Sequence, residues 1–366
     1  MMKLVYISPD SFLDTDLSVL DYLAKEFELH WFPVYYTDRK IYYTPEQIAS
    51  FARNHGIVLH PCPRSFRQRD PRNLRFYGAI VKEIVNLDAD ILYSCITEEL
   101  WWTISSRRLT VPVKVLGLHD VVKHSYGNRL KRFIQGKIQS LTVNRFEHLC
   151  VFSQSQKSLC LKVFGREAVN LGMAGKDFGP SNMVPGPLKE GVKLLFFGNI
   201  SRYKGLDLLV EALEKLYSQG VDGIKLTIAG KGEDWAVCEP LIKTPEMYNL
   251  QVRFIDNAEI PGLFSSHHFL VLPYRDATQS GPLMIAANYG LPILAPSYGC
   301  FTELYSDDSA ILFDNLSEAL TRLSQLRQEE YEAMRSAASR LAERCSPVTV
   351  AGRYAEYFKE LCPNKL

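Results

Sequence analysis

The stretch LLFFGNISRYKGLDLLVEALEKL, residues 194–216, sets the fold of the second half of the chain. An apolar segment leads through a glycine-containing loop into a run that carries Leu209, Leu213 and Leu216 at helical spacing. This order is typical of a parallel strand, buried on both faces, that is followed directly by a helix. The sequence therefore predicts a strand–loop–helix unit, with the helix beginning at about Gly205.

The loop of this unit has the composition of an anion site. A glycine allows a ligand to approach the backbone, and the first turn of a helix offers unpaired N–H groups. Arg202 and Lys204 add positive charge, and Asn199 lies on the same loop. We expect a site suited to a diphosphate, although an ordinary surface turn with solvated basic residues fits the local pattern equally well.

The alternation of strand and helix patterns recurs along the whole chain. Short apolar runs alternate with helical patterns, which predicts an α/β fold with two Rossmann-like, doubly wound domains. A segment rich in Pro, Gly and Ser, residues 178–191, reads as the linker between residues 1–180 and residues 190–346. The predicted strands are Lys3–Pro9, Glu28–Val34, Gly56–Cys62, Ala89–Cys95, Val113–Asp120, His148–Ser153 and Ala168–Ala174, then Lys193–Asn199, Ile224–Gly230, Gln251–Asp256, His268–Pro273, Leu291–Pro296 and Ala310–Asp314.

The composition is that of an ordinary globular protein and shows no membrane-spanning segment. The 366 residues are 46% hydrophobic and 23% charged, and no apolar run approaches the length of a membrane span. The eight cysteines form no CxxC pair and read as buried thiols of a reducing cytoplasm. Residues 1–185 carry 24 Lys and Arg against 18 Asp and Glu, whereas residues 186–366 carry 18 against 23. The first half is therefore the expected partner of anionic molecules, and the near-neutral balance argues against nucleic acid.

A second helix start lies in PYRDATQSGPLMIAANYGLP, residues 273–292. Thr278 or Ser280 can cap the helix, and Pro282 fits its first turn. Thr278, Gln279, Ser280 and Gly281 thus precede or begin a helix, again beyond the end of a strand. Plain capping is one explanation, but two such helix starts in one domain favour a nucleotide diphosphate.

In the first half, His119 and Asp120 follow the strand that begins at Val113, and His124 comes soon after. An imidazole at that position can contact a sugar hydroxyl, or it can form a structural His–Asp hydrogen bond. Two basic stretches, residues 63–75 and 123–137, fit either solvated faces or contact with an anionic leaflet. The acidic pair at 14–16 lacks a partner ligand, and the pair at 88–90 fits the entry turn of a buried strand, so no metal and no cofactor is expected.

Taken together, these motifs resemble retaining glycosyltransferase family 4, which has the two-domain GT-B architecture. The resemblance is most specific over residues 193–314. It implies a UDP- or GDP-sugar donor, transfer with retention of anomeric configuration, and no essential metal. It also implies that residues 347–366 form a helix returning to the first domain, that residues 1–180 bind the acceptor, and that the donor lies between the domains.

Residue by residue, Lys204 matches the diphosphate-binding lysine of the family, and His119 matches a histidine that faces the donor sugar. Asn199 stands where the family has an arginine, for which Arg202 can compensate. The two glutamates of the family are replaced by Ala277 and Ile285, within a variant that reads A-T-Q-S-G. These departures keep two alternatives open, an inactive protein that binds nucleotide-sugars or glycans, and a nucleotide-sugar epimerase.

The sequence thus predicts a cytoplasmic enzyme of hexosyltransferase type, located in part at the inner face of the plasma membrane. Its predicted partners are a nucleotide-sugar donor and a glycan or lipid-linked acceptor, as in exopolysaccharide, capsule or lipopolysaccharide synthesis.

Overall fold

The computed structural model describes residues 1–37, 43–122, 129–276 and 279–363. Its internal contacts divide the chain into two compact units. The first unit contains the described residues up to Ala174 together with those from Pro347 onward, and the second contains Gly175–Ser346.

The first unit is built on a parallel sheet in the order β3-β2-β1-β5-β6-β7-β8, with β4 pairing to β2. Helices flank the sheet. The strands are β1 (Lys3–Pro9), β2 (Glu28–Tyr36), β3 (Val58–Leu59), β4 (Cys62–Arg64), β5 (Ile91–Ser94), β6 (Val113–Leu118), β7 (His148–Val151) and β8 (Val169–Asn170), and the helices are α1 (Leu13–Glu26), α2 (Pro45–Asn54), α3 (Asn73–Asn86), α4 (Leu100–Ser105), α5 (Arg129–Val143), α6 (Gln154–Phe164) and α15 (Pro347–Glu360).

The second unit has a parallel sheet in the order β11-β10-β9-β12-β13-β14. Its strands are β9 (Val192–Phe197), β10 (Ile224–Ala229), β11 (Tyr248–Gln251), β12 (Phe269–Val271), β13 (Ile293–Pro296) and β14 (Ala310–Phe313), and its helices are α7 (Leu206–Ser218), α8 (Trp235–Cys238), α9 (Ile260–Ser266), α10 (Gly281–Asn288), α11 (Cys300–Leu304), α12 (Leu316–Ser324), α13 (Gln328–Ser339) and α14 (Leu341–Arg344). Two parallel sheets with flanking helices confirm the predicted fold class.

Both faces of the first sheet are buried, which explains why its strands are apolar throughout. On β1, Leu4 and Tyr6 belong to one apolar cluster, whereas Val5 and Ile7 belong to another. Successive side chains of a strand point to opposite faces, so the two clusters lie on opposite sides of the sheet. Helix α15 completes the first cluster, where the ring of Phe358 lies 5.6 Å from that of Tyr93.

The structure corrects two strand predictions. Residues 252–256 do not form a strand; β11 ends at Gln251, because Asp256 and Glu259 form a capping box for the short helical turn that follows. A separate short strand, β4, begins at Cys62, where the predicted run ended. The predicted domain limits stay a prediction, and the two contact-defined units meet between Ala174 and Gly175.

Two loops of the second unit approach each other closely. Gly205 precedes α7 with φ +68°, and a Cβ placed on it would lie 2.0 Å from the carbonyl oxygen of Pro273, beyond β12. Arg275 holds the same contact, because its guanidinium pairs with both carboxylate oxygens of Asp207 at 2.6 and 2.7 Å. Its backbone N–H also donates to the carbonyl of Tyr203 at 2.7 Å. The loops after β9 and β12 are therefore fixed together.

We predict that Gly205→Ala destabilises the protein by more than about 2 kcal/mol, since the new Cβ meets backbone and the left-handed conformation disfavours alanine. The matched control is Gly136→Ala in α5, where a Cβ meets nothing within 4 Å. Alanine is the better helix former, so the control should be neutral or stabilising by up to about 1 kcal/mol. Thermal unfolding followed by circular dichroism measures both, and equal melting temperatures would contradict the close approach.

Candidate functional site

The strongest candidate site lies in the second unit, at the carboxyl ends of β9 and β12. These strands are neighbours in the sheet, and ligands of open parallel sheets bind beyond the carboxyl ends of the strands. The loop after β9 carries Lys204, and the segment after β12 leads into α10.

Lys204 is the most unusual charged residue of this site. It ends a short 3-10 helix, Arg202–Lys204, and only 6% of its surface is exposed. Its ammonium nitrogen lies 5.6 Å from the centre of the Tyr274 ring, and no carboxylate of the described residues pairs with it. Burial, reinforced by the charge of Lys176, lowers the pKa of Lys204 from 10.5 to about 8. An anion placed there would be strongly attracted.

Gly198 leaves the space that this ammonium group faces. It has φ +107°, and a Cβ added to it would lie 2.9 Å from Nζ of Lys204 and 3.6 Å from Cγ of Pro282. The Cβ position of Gly198, at the end of β9, is therefore within contact distance of both the Lys204 ammonium group and the first turn of α10. A side chain at position 198 would fill that point, which explains the glycine.

The first turn of α10 completes the site. Ser280 is the N-cap, and its Oγ accepts a hydrogen bond from the N–H of Leu283 at 3.3 Å. The hydroxyl of Tyr274 lies 3.2 Å from the same Oγ. Both amide atoms of Gln279 are buried and have no hydrogen-bond partner among the residues that the structure describes. Since a buried unpaired amide is unfavourable, Gln279 has the properties of a ligand-binding side chain.

A residue that the sequence analysis missed joins this group. Lys176 is only 7% exposed, and its Nζ lies 3.3 Å from the position that a Cβ of Gly281 would take. It lies far from both site motifs in sequence and belongs to the stretch next to the predicted linker. No spacing rule pointed to it, and only the folding of this segment onto α10 reveals it.

The other predicted donor-binding residues of this unit do not belong to the buried group around Lys204. Asn199 and Arg202 are exposed. The backbone of Arg202 is well fixed, because its N–H donates to Asp234 at 2.7 Å and its carbonyl accepts from Arg275 at 2.8 Å. Thr278 lies outside the described residues. The structure therefore brings Lys204, Gln279, Ser280 and Gly281 together.

His119 lies in the first unit, directly after β6. Its ring stacks on that of Phe12 with 3.6 Å between centres and 9° between planes, and lies 4.3 Å from the ring of Phe152. Asp120 is fixed through its carbonyl, which accepts from Gln139 at 2.5 Å. The imidazole thus has a defined orientation at the carboxyl edge of the sheet, and His124 lies outside the described residues.

The two basic stretches differ in their surroundings. In the first, Arg64 is buried and pairs with Glu99 at 2.8 Å, so it is not a surface residue as the membrane hypothesis requires. Arg67 and Arg69 are exposed and line a pocket of about 710 Å³ together with Lys131 of α5.

Helix α5, in the second basic stretch, exposes a stripe of apolar residues. Its buried residues include the polar Gln139 and Thr142. Val143 is buried too, but four apolar residues point outward, with exposed fractions of 67% for Leu130 and 63% for Phe133, and Ile134 and Leu141 are exposed as well. An exposed apolar stripe with basic neighbours is typical of a surface that meets a membrane or a partner.

The described residues contain no group of three or more His, Cys, Asp or Glu side chains that could hold a metal ion. Within the same part of the chain, no helix has both the length and the apolarity needed to cross a membrane. All eight cysteines are free thiols, and all except Cys362 are buried.

The position of Lys204 generates a prediction about stability. The folded protein releases the Lys204 proton near pH 8, whereas the unfolded chain keeps it until about pH 10.5. The buried charge of Lys204 therefore destabilises the folded state fully below about pH 8. This destabilisation is lost as the pH rises towards 10.5. At pH 7, Lys204→Met should raise the free energy of unfolding, by up to about 3 kcal/mol, and should abolish pyrophosphate binding.

The matched control is Lys215→Met on exposed α7 surface, which should leave stability and pyrophosphate binding unchanged. Denaturant unfolding at pH 7 and pH 10 and calorimetry with pyrophosphate provide the measurements. A loss of stability in Lys204→Met at pH 7 would mean that the lysine is structural.

Comparison with known proteins shows a family to which part of the chain is similar. Residues 191–328 match the family described as glycosyl transferases group 1. A curated relative, an uncharacterized 41.2 kDa protein in the cps region of Klebsiella pneumoniae, is 26% identical over 132 residues. That match covers 36% of this chain and 35% of the relative, so it spans about a third of each protein.

Solved structures match over nearly the full chain. HepE of Anabaena, in complex with UDP and glucose, has a TM-score of 0.73 at 16% identity, covering 98% of this chain and 100% of HepE. A putative UDP-N-acetylglucosamine 2-epimerase from Listeria monocytogenes has a TM-score of 0.61 at 13% identity, covering 99% and 98%. At these identities the likeness shows the fold and does not separate transferases from epimerases. Residues 191–328 are therefore similar to the glycosyl transferases group 1 family, and the chain has the fold of two Rossmann-like units that these solved structures share.

Proposed function

We propose that this protein transfers a sugar, with retention of anomeric configuration, from a UDP- or GDP-sugar to a glycan or lipid-linked acceptor. The observation that carries the proposal is the buried ammonium group of Lys204, unpaired among the described residues and facing Gly198 beside the start of α10. The family of residues 191–328 and the UDP complex of HepE support a nucleotide-sugar as the anion.

The donor diphosphate would bind where Lys204 and the N–H of Gly281 converge, since Pro282 has no N–H and the N–H of Leu283 is used by the Ser280 cap. As the sugar departs, the leaving diphosphate gains negative charge, and fixed N–H dipoles and an ammonium group stabilise that charge directly. Neither contribution needs a divalent metal. Gln279 would donate its buried amide to a phosphate or a sugar hydroxyl, and the Ser280 hydroxyl can donate outward while its oxygen caps α10.

His119 is the residue we propose to contact the sugar being transferred. Stacking on Phe12 holds its ring in one plane, so its nitrogen atoms keep a fixed direction. An imidazole at a strand end can hydrogen-bond a hydroxyl group and orient the sugar. Asn199 and Arg202 would add outer contacts with the donor, and Thr278 remains part of the proposed donor loop.

The first unit would bind the acceptor and contact an anionic membrane surface. The exposed apolar stripe of α5 and its lysines support this, as do Arg67 and Arg69 beside it. The proposed location is the cytoplasm, at the inner face of the plasma membrane, and the cps region of the curated relative supports a role in capsule or related polysaccharide synthesis.

The absence of the two family carboxylates is the observation that favours a second candidate, an inactive nucleotide-sugar-binding protein. Ile285 is 4% exposed within α10 and cannot accept a hydrogen bond. An epimerase would need groups that exchange a proton at the sugar carbon. Mass spectrometry after incubation with a panel of UDP- and GDP-sugars separates the three, since it reports a new glycoside, an epimer or no product.

We predict that Gly281→Val abolishes sugar transfer while the fold is retained. The backbone at Gly281 does not need a positive φ, and a Cβ there meets only the flexible end of Lys176. The added branches would instead obstruct the approach of the phosphate to α10. Ser280→Ala should reduce transfer partially and lower stability by about 1 kcal/mol through the lost cap.

The same mass-spectrometric assay, run with and without EDTA, tests these variants against the wild type. EDTA should leave transfer intact. Near-normal transfer by Gly281→Val would mean that the donor phosphates bind elsewhere. A loss of transfer in EDTA that added magnesium restores would contradict the metal-free mechanism.

For the first unit, we predict salt-sensitive binding to vesicles that contain phosphatidylglycerol. Replacing Phe133 by Ser on the α5 stripe, or Arg67 and Arg69 by Ser, should weaken binding several-fold, because each removes an apolar or charged contact. The matched control is Arg53→Ser, because Arg53 is an exposed residue of α2. Arg166 is less suitable, since its guanidinium donates to backbone carbonyls. Sedimentation of vesicles measures binding, and equal binding by all variants would remove the α5 stripe from the membrane proposal.

A further inference from the structure

A pocket of about 710 Å³ lies at the carboxyl edge of the first sheet. Its walls come from the loop after β4, from the start of α4 after β5, and from α5, the helix that follows β6. Open parallel sheets bind their ligands at this edge. The volume is also within the range of small-molecule sites, roughly 300 to 1,000 Å³, so the pocket has room for more than a phosphate ion.

Two arginines supply positive charge to this pocket. Arg67 and Arg69 line it, their side chains are exposed, and neither guanidinium has a carboxylate partner among the described residues. The nearest acid in sequence, Asp70, is already engaged, because its carboxylate pairs with Arg72 at 2.7 Å. Both guanidinium groups are therefore available to an anion, and arginine recognises phosphate through paired N–H groups.

The loop that carries these arginines is fixed to the neighbouring wall. The side-chain amide of Asn73 donates to the carbonyl of Arg67 at 2.8 Å, and that of Gln68 donates to the carbonyl of Glu98 at 3.2 Å. Glu98 is the acidic residue of the lining, and its carboxylate accepts from Gln135 of α5 at 3.0 Å. Since these hydrogen bonds join the three walls, the backbone beneath the arginines is in place before a ligand binds.

Apolar side chains form much of the remaining lining. Leu100 and Trp101 come from α4, and Ile134 and Ile138 come from α5. Ile134 is also part of the exposed apolar stripe of α5. With about 3.6 residues per turn, the stripe and the pocket lining occupy adjacent faces of this helix and meet at Ile134. A ligand held by the arginines can therefore extend a hydrocarbon chain along Ile134 towards the stripe.

We infer that this pocket binds the phosphate group of a lipid-linked acceptor. Arg67 and Arg69 contact the phosphate, and Trp101, Ile134 and Ile138 contact the first part of the hydrocarbon chain. The inference rests on the proposed function and selects the lipid-linked acceptor over the free glycan. Charge complementarity favours the phosphate, and continuity with the stripe favours a chain that enters the leaflet. A free anionic glycan would use the arginines but would leave the apolar wall in water.

Calorimetry with decyl phosphate, below the concentration at which it forms micelles, tests the inference. Inorganic phosphate and decanol are the matched probes, because the first lacks the chain and the second lacks the charge. Decyl phosphate should bind one molecule per protein, at least about 10-fold more tightly than either probe, since both parts of the pocket contribute.

Two variants separate the contributions. Joint replacement of Arg67 and Arg69 by Met should weaken decyl phosphate binding by about 10-fold or more, and Ile134→Ser should weaken it several-fold. Both should melt like the wild type, because the replaced side chains are exposed. The control combines Arg53→Met with Lys157→Met, which removes the same charge from exposed helix surface of the first unit and should change nothing.

Three results would overturn the inference and leave the proposed function intact. They are inorganic phosphate or decanol binding as tightly as decyl phosphate, wild-type binding by the double arginine variant, and an equal loss in the control variant. Sugar transfer to a water-soluble glycan, by a protein that does not bind decyl phosphate, would overturn it as well. A protein that yields no product with any UDP- or GDP-sugar would instead overturn the proposed function, whatever decyl phosphate does.

Discussion

At Gly205 the backbone of the second unit passes so close to the carbonyl of Pro273 that no side chain fits between them. This approach joins the loop after β9 to the loop after β12, and the Arg275–Asp207 ion pair reinforces it. The parallel sheet makes the two strands neighbours, but the glycine contact sets the distance between their loops. Lys204 precedes Gly205 directly, so the same constraint holds its ammonium group beside α10. The candidate site is a consequence of this one contact.

The charge in this site has an energetic consequence for the whole protein. A lysine that is buried without a carboxylate among the described residues opposes folding. Burial of apolar side chains in the second unit must compensate for that cost. Such a conflict between local stability and fold is a common property of binding sites, because the missing partner is the ligand. An anion that binds there would strengthen both the site and the fold.

Much of this arrangement was predictable from the sequence. The strand–loop–helix pattern located Lys204, and the capping pattern located Ser280 and Gly281, since both depend on local rules of backbone and turn chemistry. The position of Lys176 beside α10 was not predictable, because it depends on a segment that is distant in sequence and packs onto this helix. Arg64 was misjudged for a similar reason: a run of arginines reads as surface, yet Glu99 and two tyrosine hydroxyls surround this one.

The first unit shows the same division between local and long-range information. The strand that precedes His119 follows from its apolar pattern, but the stacking on Phe12 depends on the pairing of distant segments. The polarity of α5 is likewise hidden in the sequence, because a helix with mixed apolar and basic residues does not reveal which face is buried. Its outward apolar stripe becomes apparent only once Gln139 and Thr142 are seen to face inward.

The central claim, that Lys204 receives the diphosphate of a nucleotide-sugar, makes a direct prediction about protons. At pH 8.5, a lysine with a pKa of about 8 is mostly neutral, and a bound diphosphate would favour its charged form. Calorimetry of UDP and GDP binding in two buffers of different ionisation enthalpy measures the protons exchanged. The account predicts proton uptake on binding at pH 8.5 and almost none in Lys204→Met at the same pH. Tight nucleotide binding without proton uptake at pH 8.5 would contradict it.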